Sequence, residues 1–318
     1  MEFFGNQLGT ASNRRFPFQK KLGSIFGKER MEMKKRQVNP KAFTLIELLV
    51  VIAIIALLLA IVMPALNRVK QQAAQIPCGA NMRAIAQAFH LYQEENGGYL
   101  VCSLAWFTPA EMRQYAQSGT VSKGRDWVAC PIDKNGAAKR GRTEATIEYE
   151  LNGIKAGKIW PYLDQEETYH CPADKRAVKT GLGYRSYSMV ATILSDYPPL
   201  VTGAHAIEKM SEITNPSGKY ICVEETDEEW GWNAGSWVID ITNKRWYDPV
   251  AGWHTEGATL SFADGHIEKR KWQDKRTNDW LQNQPQKGGN AAGRMIDHIS
   301  PTRNLDMDYM LQNIPYHR

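Results

Sequence analysis

Six side chains in the C-terminal half are of the types that carry acid–base or metal chemistry: Glu224, Glu225, Asp227, His254, Asp264 and His266. Imidazoles beside carboxylates could hold a divalent metal or act as a general acid and base. Each also has a plainer reading. Asp264 and Gly265 lie between two runs of strand formers, the signature of a two-residue type I′ hairpin turn needing positive φ at both positions. That loop would set Ala263 against His266 and Phe262 against Ile267. His254 could simply hydrogen-bond a carbonyl or carboxylate. Glu224, Asp227, His254 and Asp264 are the candidates for a metal, and acids near loops suit Ca²⁺, which takes oxygen ligands. No nucleophile elbow, phosphate loop, Rossmann glycine pattern or His-Glu-x-x-His occurs. We therefore assign no catalytic residue and no required cofactor, and expect Gly265→Val to harm the fold more than His254→Ala.

Sulfur is the second chemistry. The five cysteines are Cys78, Cys102, Cys130, Cys171 and Cys222, an odd number, so at least one stays outside an intramolecular pair. Residues 128–133 and 169–174 share a Cys-Pro-x-Asp pattern, in which Pro fixes φ and Asp can cap the next turn. The repeat points to a Cys130–Cys171 disulfide, although sequence alone leaves the pairing open. No Cys-x-x-Cys is present, which argues against a zinc ribbon.

The third is a single carboxylate. Residues 43–63 are apolar except for Thr44 and Glu47. As a helix this run matches the roughly 30 Å hydrocarbon core of a bilayer. It is too long for a signal-peptide core, and Pro64-Ala65-Leu66-Asn67 is no small-x-small cleavage site. A carboxylate one turn inside costs several kcal/mol in lipid unless it is neutralised or paired.

At these residues the chain resembles type IV pilins and the pseudopilins of type II secretion. Their signature is a basic leader, a small residue, Phe-Thr-Leu-Ile-Glu and an apolar helix, and Phe43-Thr44-Leu45-Ile46-Glu47 matches it residue for residue. Pro64 also falls where the family has a helix proline. The resemblance implies that a prepilin peptidase cuts between Ala42 and Phe43 and methylates the Phe43 amine, with Glu47 serving assembly. Ala42 departs from the usual Gly before the cut. His254, nine residues, then Asp264-Gly265 marks a C-terminal region found in one branch of these proteins, so the likeness covers most of residues 41–277. The family's partners would be the peptidase, other pilin-like subunits met through the helix, an inner-membrane assembly platform and lipid.

Residues 1–41 hold ten Lys/Arg and three acids, leaving 29 and 31 in the rest of a chain of net charge +5. The basic excess is thus a topology signal, not a nucleic-acid footprint, and it keeps the N-terminus cytoplasmic and the head exported. Met31 or Met33 could begin a short leader of the usual kind in place of Met1.

These residues need elements to position them. We expect a leader over 1–42, a transmembrane helix over 43–64, and an amphipathic extension over 65–97 kinked near Pro77. A head over 98–285 and a tail over 286–318 complete the chain. Strand-like runs at 146–151, 159–163, 187–194, 219–224, 237–241 and 259–267, separated by Gly, Pro and Asn at irregular spacing, predict strands, and 109–117 a helix. The expected class is α+β, a long helix on an antiparallel sheet with long loop insertions. Ten tryptophans and thirteen tyrosines, scattered along the chain, read as core and rim rather than a glycan-binding face. A filament subunit is the reading this favours. A membrane-tethered binding module that does not polymerise is the alternative, and an anchored hydrolase is the third.

Overall fold

The computed structural model describes residues 44–105, 107–118, 124–140, 144–193, 206–226, 236–282 and 303–316. The expected leader, the cleavage residues Ala42 and Phe43, Asp227 and residues 286–302 lie outside them. The chain divides into two compact units, Met1–Ile55 and Ala56–Arg318.

Helix α1, Leu45–Glu95, runs through both Pro64 and Pro77. The helix is unbroken at Pro77, although a proline removes one helical hydrogen bond. The residues after Pro77 supply the reason. Cys78, Met82, Ile85, Phe89 and Tyr92 recur every three or four residues and are all buried, so core packing holds the backbone helical. The helix ends where expected, with Gly97 and Gly98 in the left-handed region at φ +66° and +81°.

The second unit is α+β, as expected. Strands β1 (Tyr187–Met189), β2 (Tyr220–Glu224), β5 (Gly257–Phe262) and β6 (Ile267–Lys271) form one sheet in the order β1-β2-β5-β6, antiparallel throughout. β3 (Ile239–Asp240) and β4 (Arg245–Trp246) pair separately. β1, β2 and β5 are buried along their whole length. The edge strand β6 carries Glu268, Lys269, Arg270 and Lys271, the charged composition that discourages edge-to-edge pairing.

Helix α2, Pro109–Ser118, is where the sequence puts it. Two expected strands are helices: 146–151 lies in α3 (Ile147–Lys155) and 159–163 in α4 (Trp160–Leu163). Thr146 accepts a hydrogen bond from the Tyr149 N–H as N-cap, and Glu148 and Glu150 favour the first turn, outweighing the apolar alternation of Ile147, Tyr149 and Leu151. α3 also needs close backbone approach, since a Cβ on Gly153 would lie 2.3 Å from the Cys130 carbonyl oxygen. Helices α5 (Arg176–Thr180), α6 (Lys275–Gln282) and α7 (Leu305–Asn313) complete the unit.

The tail drawn over 286–318 needs correction, because α7 is part of the core. Met307, Met310 and Ile314 are buried, and the Tyr220 hydroxyl donates to the Met310 carbonyl at 2.9 Å. Trp127, Trp237, Trp246 and Trp272 are fully buried, in keeping with the core reading of the aromatics.

Candidate functional sites

The first site begins at Thr44. Its N–H and hydroxyl both donate to Glu47 Oε2, at 2.8 and 2.9 Å, while the Glu47 N–H donates back to the hydroxyl at 3.2 Å. This is a reciprocal capping box, which the Thr-x-x-Glu spacing encodes and which the reading of Glu47 as an assembly residue overlooked. The Thr44 N–H is an amide whether or not the chain is cut before Phe43, so the cap survives processing. From Leu45 to Asn67, 23 residues are long and apolar enough to cross a membrane, at about 35 Å of helix, and none of the apolar stretch is buried. Leu45 and Ile46 are 80% and 74% exposed, a surface that water does not tolerate and another apolar phase must cover.

The second site lies wholly in the second unit. Cys171 pairs with Cys78 of α1, with Cα atoms 5.2 Å apart and a sequence separation of 93. The Cys130–Cys171 expectation is therefore wrong. Cys130 is a buried thiol outside the disulfide, and burial pushes its pKa up to about 11. The shared Cys-Pro-x-Asp motif encodes turns instead. Asp133 accepts from the Asn135 and Ala137 N–H groups at 2.9 and 3.0 Å, and Asp174 accepts from the Arg176 N–H at 2.9 Å. Those turns rigidify the two loops without bringing the sulfurs together.

Against the disulfide lies His254. Its Nε2 is 3.3 Å from Cys171 Sγ and 3.0 Å from Glu224 Oε1, and the His254 and Glu224 side chains are fully buried. Glu224 ends β2, and its other oxygen accepts the Thr259 N–H of β5 at 2.6 Å, which fixes the carboxylate. His254 enters from a tight turn in which its N–H donates to the Gly257 carbonyl at 3.3 Å. Both central residues of that turn, Thr255 and Glu256, are left-handed, at φ +57° and +63°. Neither is glycine, and such backbone costs about 1–3 kcal/mol per residue. Four donor atoms thus converge, from Cys78, Cys171, Glu224 and His254, all within 4.8 Å of one another.

Only part of the sequence-level constellation assembles. Glu224 and His254 meet, whereas Asp264 pairs with His266 Nδ1 at 2.6 Å on the exposed hairpin. Partial burial raises the Asp264 pKa, but the hydrogen bonds from His266 outweigh it and hold the carboxyl below its usual range. Glu225 belongs to a different buried group and interacts with Arg185, which burial holds down to about 10. Cys78 and Cys171 escaped notice as partners of His254, because their meeting depends on how α1 docks.

The hairpin itself is one residue longer than expected. Phe262 N–H donates to the His266 carbonyl and Gly265 N–H to the Phe262 carbonyl, each at 2.9 Å, so the loop is Ala263-Asp264-Gly265. Only Gly265 is left-handed, at φ +88°, as in a type I turn closed by a glycine bulge. Phe262 consequently faces His266, with ring centroids 4.3 Å apart.

The buried pair offers little to a substrate. With both side chains fully buried, neither His254 nor Glu224 can exchange a proton with a bound molecule. The two sulfurs and the nitrogen of the four-donor cluster are also a poor match for Ca²⁺.

A family model described as the prokaryotic N-terminal methylation motif matches residues 39–63. No curated protein and no solved structure matches the chain. The motif covers Ala42, Phe43 and Glu47 together with the start of the exposed apolar helix, and its members are structural subunits. By that motif and the helix that continues from it, the chain carries the N-terminal signature of type IV pilin-like proteins.

Proposed function

We propose that the chain is a pseudopilin- or pilin-like structural subunit and not an enzyme, inserted in the inner membrane with its N-terminus cytoplasmic and its head exported. A prepilin peptidase cuts between Ala42 and Phe43 and methylates the Phe43 amine. The mature subunit then joins others through α1, at an inner-membrane assembly platform of a type II secretion-like system. The observation that carries this reading is the Phe43–Glu47 motif at the head of an apolar helix that no described residue covers. Lipid is as apolar as the helix, so association rests on packing and on polar contacts made only between chains. Both capping bonds fall on Glu47 Oε2. We assign Oε1 to the cationic Phe43 amine of a neighbouring subunit.

Mass spectrometry of the protein from native membranes tests the processing step. The expected N-terminus is methylated Phe43, and an intact Met1, Met31 or Met33 terminus would overturn the reading. Membrane crosslinking tests the assembly step: a ladder of multiples supports a polymer. Only monomers from correctly processed protein would favour a tethered binding module.

A further inference from the structure

We propose that Cys78, Cys171, His254 and Glu224, with the two cysteines in the dithiol form, hold one Zn²⁺ ion. Metal and disulfide are then alternative closures of the same junction, where α1 and the Cys171 loop meet the end of β2 and the turn before β5.

The donor set is the first ground. Two thiolates, an imidazole nitrogen and a carboxylate oxygen are the ligand types zinc takes, and four of them complete a closed tetrahedral site. Zinc–ligand bonds of about 2.0–2.3 Å give donor–donor edges of about 3.3–3.8 Å. Nε2 of His254 is 3.3 Å from Cys171 Sγ and 3.0 Å from Glu224 Oε1, close to such edges, and all four donor atoms lie within 4.8 Å. The two bonded sulfurs must part to reach such an edge.

The supporting structure is the second. Glu224 Oε2 is held by the Thr259 N–H at 2.6 Å, the outer-shell bond that aims a ligating carboxylate. His254 is delivered by two consecutive left-handed residues, strain that a merely space-filling histidine does not require. A disulfide by itself accounts for none of this. It has no need of a fully buried carboxylate and imidazole at its side, groups whose burial is costly unless they are paired or bound to metal.

The interconversion balances with a dithiol reductant. Two electrons from the reductant break the Sγ–Sγ bond, its two protons pass to the sulfurs, and it leaves as its own disulfide. Zn²⁺ then displaces both thiol protons to solvent. The reverse needs an oxidising disulfide, which takes up the two electrons and releases the metal. The junction stays closed in either state, so the docking of α1 need not depend on the redox history of the chain.

The test uses full-length protein in detergent. One sample keeps the disulfide, and the other is reduced with a water-soluble phosphine that is then removed. Both are equilibrated with Zn²⁺, desalted and assayed for metal and by X-ray absorption at the zinc edge. The reduced chain should retain one zinc with a shell of two sulfurs and two nitrogen or oxygen atoms. The oxidised chain should retain none. Cys78→Ser, compared in the reduced state where no disulfide is at stake, should lose the metal, and Glu224→Gln should weaken its retention at least tenfold. A Cys102→Ser, Cys130→Ser, Cys222→Ser triple variant should keep it. Reduced wild type without stoichiometric zinc would overturn the proposal, as would a shell without two sulfurs or retention by Cys78→Ser.

Discussion

The capping role of Glu47 and the assembly role proposed for it can be separated by one substitution. Glutamine also completes a capping box, so Glu47→Gln should leave α1 and its membrane insertion intact. It removes the charge that would meet a neighbour's Phe43 amine. At about 4 Å and an effective dielectric near 20 that attraction is about 4 kcal/mol, enough to decide entry into a polymer. Glu47→Gln should therefore be processed normally yet give no crosslinked ladder, with Glu47→Asp intermediate. Equal ladders from wild type and Glu47→Gln would contradict the assembly role. At His254 and Gly265 the structure reverses the order expected from sequence. His254→Ala strips Glu224 of its partner with both groups fully buried, a loss of about 3–5 kcal/mol. Gly265→Val strains one left-handed residue, about 1–2 kcal/mol, with no heavy atom nearer than 3.5 Å to the new Cβ. Urea denaturation midpoints in disulfide-intact protein should rank the two variants in that order.

Among the elements, α3 shows best how local chemistry redirects a chain. Its Glu150 side chain is buried and accepts the Gly183 and Tyr184 N–H groups at 2.8 and 2.7 Å. Burial is the largest influence and raises its pKa to about 7, against the opposing pull of those hydrogen bonds and of Arg176 and Arg185. The folded chain therefore binds a proton that the unfolded chain, with an ordinary carboxyl near 4.5, releases. The stability this contributes is fully present below pH 4.5 and is lost as pH rises toward 7, at most about 3 kcal/mol. Glu150→Gln should flatten the fall in unfolding free energy over that window. An unchanged slope would show that the carboxyl ionises normally in the fold.

At the scale of the molecule, Cys78–Cys171 closes a covalent loop over a sequence separation of 93 and ties α1 to the loop before α5. In the chain-entropy account such a loop contributes about 4–5 kcal/mol. Cys78→Ser should lower the thermal midpoint under non-reducing conditions, whereas Cys130→Ser should not do so by loss of a crosslink. Peptide mapping without reductant should recover the 78–171 pair, and a 130–171 pair would contradict the fold. α7 adds a second tie from the far end of the chain. Its Asp306 accepts the Gln273 and Asp274 N–H groups at 3.0 and 2.9 Å, and Arg270 of β6 stacks over Tyr309 at 3.8 Å.

What the sequence determined by itself is what local chemistry encodes. A run of apolar residues with one carboxylate defines a membrane-length helix and its processing motif, because length, hydropathy and a five-residue signature need no partner. The buried stripe from Met82 to Tyr92, the glycine stop after Glu95, strand β2 and the presence of a turn at Asp264-Gly265 are legible for the same reason. The third loop residue of that turn, the helical state of 147–155 and the docking of α7 are not, since each is decided by packing against distant chain. The disulfide partner and the four-donor junction were least legible of all. Residues 78, 171, 224 and 254 share no spacing, and only the tertiary packing of α1, the Cys171 loop, the end of β2 and the left-handed turn before β5 brings their side chains together.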